Sequence, residues 1–248
     1  RLKVVSRFGV GIDNFDLEAA RRHGVTMTNC PGVNATAVGE QFIALLFGLL
    51  REVPLYDRHA REGDWSRPYF QELGGKTVSI LGFGAVGRQI ARKLSGFDVE
   101  ILAYDKFPDE AAAKALGVRL CSLGEAIRLG DVISVNLPSL PDTYHLINAE
   151  TIAAMKDGVI LVNTARGALV DEGAAAQALL CGKVAGFATD VFESEPVTAA
   201  NPLFGCPHFL AAPHVATDTA QNFVRIGKVV AEAVTDALAG KTPKNALR

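Results

Sequence analysis

Lys76-Thr77-Val78-Ser79-Ile80-Leu81-Gly82-Phe83-Gly84-Ala85-Val86-Gly87-Arg88-Gln89-Ile90-Ala91 decides how the chain is read. A short apolar run has the character of a buried strand, stops at Gly82 and passes through G-x-G-x-x-G into a helical pattern. That order, strand then glycine turn then helix, is what a dinucleotide requires. Gly82 permits the tight turn, Gly84 lets backbone approach a pyrophosphate, and Gly87 lets the helix pack close to the sheet. The free N–H groups and positive dipole end of that helix face the phosphates. Gly82, Gly84, Ala85, Val86 and Gly87 are therefore the candidate phosphate cradle. A lone G-x-G-x-x-G is a weak signal, but a second apolar run, Val99–Tyr104, ends in Asp105. A carboxylate there accepts hydrogen bonds from an adenosine ribose and repels a 2′-phosphate, which selects NAD over NADP.

The bulk composition sets limits. With 248 residues, 49% of them hydrophobic and 21% charged, the chain has room for two modest globular domains. The net charge of −2, without a basic run, gives no footprint for nucleic acid. The longest apolar stretch, Phe42–Leu50, is too short to span a bilayer, and no signal-peptide pattern stands at the front. Cys30, Cys121, Cys181 and Cys206 are isolated in sequence, so neither a disulfide framework nor a metal site is indicated. They read as buried small hydrophobes in a reducing cytoplasm. The chain opens at Arg1, and Leu2–Ser6 already has strand character, so it reads like the middle of a domain.

Strand and helix alternate along the chain. Strands are expected at 2–6, 25–29, 77–82, 99–104, 131–136, 158–163, 184–190 and 208–212. Helices are expected at 17–22, at 35–61 with a break or kink at Pro54, and at 218–239, where Phe223, Ile226, Val230, Val234 and Ala237 form one stripe. The regular rhythm after Thr77 predicts an α/β fold with a doubly wound parallel sheet covered on both faces. The expected boundaries place an NAD-binding Rossmann domain at 35–212 between two pieces of a substrate domain, 1–34 and 213–248.

Three further segments carry chemistry. In Asn163-Thr164-Ala165-Arg166-Gly167 a buried strand ends by presenting an arginine, and a guanidinium there can hold a carboxylate by two parallel hydrogen bonds. Asp190-Val191-Phe192-Glu193-Ser194-Glu195-Pro196 and Ala212-Pro213-His214 supply an acid and a histidine at strand ends. A carboxylate beside an imidazole stabilises the imidazolium and fixes its tautomer, which suits general acid–base work. Taken singly, Arg166 also fits a surface ion pair, and His214 a structural histidine.

Together these segments resemble the D-isomer-specific 2-hydroxyacid dehydrogenase family over nearly the whole chain. Gly9-Val10-Gly11-Ile12-Asp13-Asn14, Asn29-Cys30-Pro31-Gly32-Val33-Asn34-Ala35 and Leu137-Pro138-Ser139-Leu140-Pro141-Asp142-Thr143 support the likeness. The resemblance implies that Arg166, Glu195 and His214 are catalytic and that Asp190 binds the nicotinamide carboxamide. It further implies that Asp105 binds the adenosine ribose, that Pro138, Thr143, Thr164 and Ala165 line the cofactor, and that Val10 and Gly11 offer N–H groups to the substrate carboxylate. One departure is Gly39, where the family helix usually carries Ala; it should loosen that helix by about 1 kcal/mol. Another is the front, where the family has an additional βα segment that would complete the substrate domain.

Within the family the overall pattern sits nearest the phosphoglycerate dehydrogenases. Glyoxylate/hydroxypyruvate reductase and a broad 2-oxo acid reductase are the alternatives. Formate dehydrogenases carry Gln where Glu195 stands. A corepressor-like NAD sensor keeps the same Arg, Glu and His, so the triad does not separate it from an enzyme, and an inactive remnant is a third reading. The resemblance also implies a homodimer, with Phe42, Phe47 and Trp65 of the Ala35–Trp65 segment at its interface.

Overall fold

The computed structural model describes residues 2–247. In chain order the elements are β1 (Val4–Ser6), α1 (Leu17–Arg22), β2 (Thr26–Thr28), α2 (Ala35–Leu50), α3 (Val53–Arg61), β3 (Thr77–Leu81), α4 (Ala85–Leu94), β4 (Glu100–Tyr104), α5 (Glu110–Ala115) and β5 (Arg119–Leu120). They continue with α6 (Leu123–Leu129), β6 (Val132–Val135), α7 (Ala149–Ala154), β7 (Val159–Asn163), α8 (Glu172–Leu180), β8 (Val184–Thr189), β9 (Phe209–Ala211) and α9 (Ala220–Leu238). Two compact units emerge: one takes the chain up to Val38 together with the chain from Thr217 onward, and the other is Gly39–Ala216. Ala216, the last residue of the larger unit, gives its N–H to the buried Asp190.

The larger unit is a seven-stranded sheet in the order β5-β4-β3-β6-β7-β8-β9, every pairing parallel. The strand order reverses direction at β3, whose carboxyl end carries the glycine turn; ligands of open α/β sheets bind at that switch point. Residues alternate between the two faces along β7: Val159 and Leu161 enter one apolar core, Ile160 and Val162 the other. Both faces are covered, so the strand reads as a continuous apolar run. Each fully buried Leu, Ile or Phe contributes about 1.5–3 kcal/mol. The two-residue β5 escapes sequence reading because it is too short to show a period.

The expected long helix at 35–61 is two helices. Glu52 takes a left-handed conformation (φ 46) and Pro54 sits in the first turn of α3, where its missing N–H costs nothing. Gly39 has a packing reason: a β-carbon there would stand 3.2 Å from Lys93 Cε and 3.3 Å from Gln89 Cβ on α4. Phe42 is fully buried in its own unit and Phe47 is half-buried, its ring 5.1 Å from that of Phe97. Those two aromatics fill the core, whereas Trp65 is exposed, as are Val53 and Tyr69. Among the cysteines, Cys30 is buried, Cys121 and Cys206 are half-buried, and Cys181 is exposed, so the expectation of four buried thiols does not hold.

The smaller unit pairs β1 and β2 in parallel, with Val4 opposite Thr26, against α1 and α9. Asp16 caps α1 by accepting from the Ala19 N–H, and Thr219 caps α9 by accepting from Asn222. The buried stripe of α9 runs through Asn222, Ile226 and Ala233. Phe223, expected on that stripe, is 67% exposed and instead meets the ring of Phe8 at 5.0 Å. Among the described residues no helix is long and apolar enough to cross a membrane, and no group of three or more His, Cys, Asp or Glu is placed to hold a metal ion.

Candidate active site

The glycine turn is shaped by close approach. Gly82 has φ +99, and a β-carbon on it would lie 2.7 Å from the Asn136 carbonyl oxygen. A β-carbon on Gly87 would lie 2.2 Å from the Gly82 carbonyl oxygen, so α4 presses onto the end of β3. Gly84 caps α4, and a β-carbon there would meet nothing within 4 Å. The exposed Gly84 and Ala85 leave the helix N-terminus open to an anion. Asp105 stands beside the turn: its Oδ2 accepts from the Phe83 N–H at 2.7 Å and its Oδ1 from the Phe107 N–H at 2.9 Å. It therefore ties the glycine turn to the end of β4. Thr164 Oγ1, at the end of β7, is buried and lacks a hydrogen-bond partner. An open helix N-terminus, a carboxylate beside the glycine turn and an orphaned hydroxyl all fit a bound dinucleotide.

Pro138 and Thr143 belong to one loop after β6. Thr143 Oγ1 donates to the Pro138 carbonyl (2.7 Å) and accepts from the Leu140 N–H (2.9 Å), so this threonine shapes the loop. Val10 and Gly11 lie in the smaller unit, on a loop held by Asn29 Nδ2 donating to the Val10 carbonyl at 2.8 Å. Among the described residues, neither the Val10 nor the Gly11 N–H donates to a backbone carbonyl.

Arg166, Asp190, Glu195 and His214 all lie in the larger unit, on loops after the neighbouring strands β7, β8 and β9. Asn163, a polar residue ending an apolar run and given no role in the sequence reading, shapes the first loop. Its Nδ2 donates to the Arg166 carbonyl at 2.9 Å and its Oδ1 accepts from the Ala165 N–H at 3.0 Å. The half-buried Arg166 guanidinium donates from Nη1 to the Ala165 carbonyl at 2.7 Å. Asp190 is fully buried, and its two oxygens accept from the N–H groups of Val215 (3.0 Å) and Ala216 (2.8 Å). Burial pushes its carboxyl up, and those two amides only partly offset the effect. His214, at φ 55, donates its own N–H to the Asp190 carbonyl at 2.8 Å. Asp190 thus organises the histidine turn, a role that sequence reasoning missed.

The centre of the arrangement is a pair. His214 Nδ1 lies 2.6 Å from Glu195 Oε2, and Glu195 Oε1 accepts from the Phe192 N–H at 2.9 Å. Both side chains are partly solvent-exposed, at 46% and 36%. With Nδ1 engaged by the carboxylate, Nε2 is left to exchange a proton with a ligand.

The model of the D-isomer specific 2-hydroxyacid dehydrogenase NAD binding domain matches residues 43–216. The chain belongs to this family, and NAD is the cofactor of the domain. Within it the chain falls near the phosphoglycerate dehydrogenases. It is 38% identical to a D-3-phosphoglycerate dehydrogenase of Archaeoglobus fulgidus, over 99% of this chain and 47% of that protein. It is 42% identical to one of Mycobacterium tuberculosis, over 97% of this chain and 46% of that protein. The chain thus spans about half the length of these relatives. Among solved structures, the apo-structure of D-lactate dehydrogenase from Escherichia coli superposes with a TM-score of 0.91 at 33% identity, over 99% of this chain and 78% of that one.

Proposed function

We propose that the chain works in an NAD-dependent D-2-hydroxyacid dehydrogenase of the phosphoglycerate dehydrogenase type, interconverting a D-2-hydroxy acid and its 2-oxo acid. The observation that carries this reading is the 2.6 Å contact between His214 Nδ1 and Glu195 Oε2. Arg166 holds the substrate carboxylate and polarises the 2-oxo group. Bound NAD(H) supplies or accepts the hydride. His214, protonated and supported by Glu195, donates from Nε2 to the carbonyl oxygen in reduction; neutral, it removes the hydroxyl proton in oxidation. Gly82, Gly84–Gly87 and Asp105 hold the pyrophosphate and ribose, Asp190 binds the nicotinamide carboxamide, and Pro138, Thr143, Thr164 and Ala165 line the cofactor. The family likeness makes Val10 and Gly11, in the smaller unit, candidates for binding substrate through their N–H groups. We read the larger unit as the NAD-binding domain and the smaller as part of the substrate domain.

The partner is a small 2-oxo or 2-hydroxy acid, and the protein acts as a cytoplasmic homodimer. The exposed Val53, Trp65 and Tyr69 support the dimer; a monomer by light scattering at micromolar concentration would rule it out. The activity is tested by NADH oxidation with 3-phosphohydroxypyruvate, hydroxypyruvate, glyoxylate and pyruvate, using the full protein that carries this chain. Turnover fastest with 3-phosphohydroxypyruvate supports the reading, and a preference for glyoxylate or hydroxypyruvate moves it to the reductase branch. NADH binding without turnover on any of them overturns it in favour of a sensor.

A further inference from the structure

Glu172 and Glu193 exchange hydrogen bonds in both directions. The Glu193 N–H donates to Glu172 Oε1 at 2.9 Å, and the Glu172 N–H donates to Glu193 Oε1 at 3.1 Å. Glu172 is the first residue of α8, so its N–H is one of the donors a helix leaves unpaired, and a carboxylate is favoured there. The ring so closed joins the first turn of α8, just downstream of Arg166, to the loop that carries Glu195.

Each of the two carboxylates has a further neighbour. Here His145 Nε2 lies 3.2 Å from Glu193 Oε1, and Asn201 Nδ2 donates to Glu172 Oε2 at 2.6 Å. His145 is itself fixed: its N–H donates to the Ala168 carbonyl at 2.9 Å, its backbone is left-handed (φ 47), and its ring stacks on Tyr144 at 4.0 Å. Between the latch and the pair lies little chain. Phe192, next to Glu193, gives its N–H to Glu195 Oε1.

We infer that Glu193 is a positioning residue: through its reciprocal bonds with Glu172 it sets the Phe192 amide, and thereby the Glu195 carboxylate that orients His214, relative to Arg166. This rests on the dehydrogenase reading above. Loss of the latch lets the 191–196 loop shift while the sheet and the glycine turn stay as they are. A displacement of about 1 Å remote from the reacting atoms costs on the order of 100-fold in rate.

The experiment compares wild type with Glu193→Ala, Glu193→Gln, Glu172→Ala and the double alanine variant, in the full protein, each scored per NADH-binding site. The expected result for Glu193→Ala is a kcat lower by about 10- to 100-fold, with NADH affinity within about twofold and KM for the oxo acid within about threefold. Glu193→Gln keeps the oxygen that accepts from Glu172 and recovers most of kcat. The double variant is no slower than the worse single one, because the two bonds form one unit. A readout independent of turnover is the downfield proton resonance of the His214–Glu195 bond, which moves or broadens in Glu193→Ala and returns in Glu193→Gln. An active wild type with an unchanged kcat and an unmoved resonance in Glu193→Ala overturns the latch alone. A wild type that binds NADH and turns over no 2-oxo acid overturns the dehydrogenase reading, and the latch with it.

Discussion

Gly167 lies against the main chain of Phe192 so closely that a β-carbon on it would stand 1.9 Å from the Phe192 carbonyl carbon. The loop bearing Arg166 and the loop bearing Glu195 therefore touch backbone to backbone, and only glycine permits it. Gly167→Ala forces the loops apart and should destabilise the larger unit by about 3 kcal/mol, the upper range for overpacking against an unyielding neighbour. Urea unfolding measures this. A variant as stable as wild type would mean the loops separate freely.

The acid–base pair predicts a separation of binding from chemistry. His214→Ala and Glu195→Gln should lower kcat by about 100- to 10,000-fold, the range for removing a positioned proton donor or its support. Affinity for NADH should stay near that of wild type, because neither side chain belongs to the glycine turn. Stopped-flow binding beside steady-state rates checks both arms. Weakened NADH binding in proportion to the lost rate would count against the assignment.

Asp105 should govern choice of nucleotide. Asp105→Ala removes the ribose acceptor and strands the Phe83 N–H that it now satisfies at 2.7 Å. The loss of a charge-assisted bond, about 1.5–3 kcal/mol, corresponds to roughly 10- to 100-fold weaker NADH binding. Discrimination against NADPH should fall at the same time, because the repelling charge is gone. Fluorescence titration with both nucleotides gives the ratio.

Acid stability should depend on Asp131. Its Oδ2 accepts from the Thr77 N–H at the start of β3 (2.7 Å), and its Oδ1 takes Lys156 Nζ at 2.8 Å. Burial pushes this carboxyl up, but the Lys156 bond and the Thr77 amide outweigh it and hold the group below the usual carboxylate range. A folded-state value lower than the unfolded one adds stability above the unfolded value, near pH 4, and that stability is lost as pH falls through the folded value. Asp131→Asn should therefore cost about 1–2 kcal/mol at pH 7 and much less near pH 3, read from unfolding curves at the two pH values.

The sequence alone determined what depends on neighbours along the chain. Val78–Leu81 followed by Gly82 and Gly87 sets a strand, a turn and a helix within a few residues, and the apolar run Val159–Val162 announces a strand covered on both faces. The four chemical residue types at strand ends were legible for the same reason. Tertiary structure decided what those residues touch. Asp190 reads as a cofactor ligand in sequence, and only the structure shows that its oxygens also accept from amides 25 and 26 residues further on. Phe42 and Trp65 were both expected at an interface, but one fills the core and the other is exposed. Glu172 and Glu193, 21 residues apart, carry no motif that pairs them. Local backbone preference acts over a turn or two. The meeting of three loops depends on how β7, β8 and β9 align in the sheet, and that alignment is set by packing on both of its faces.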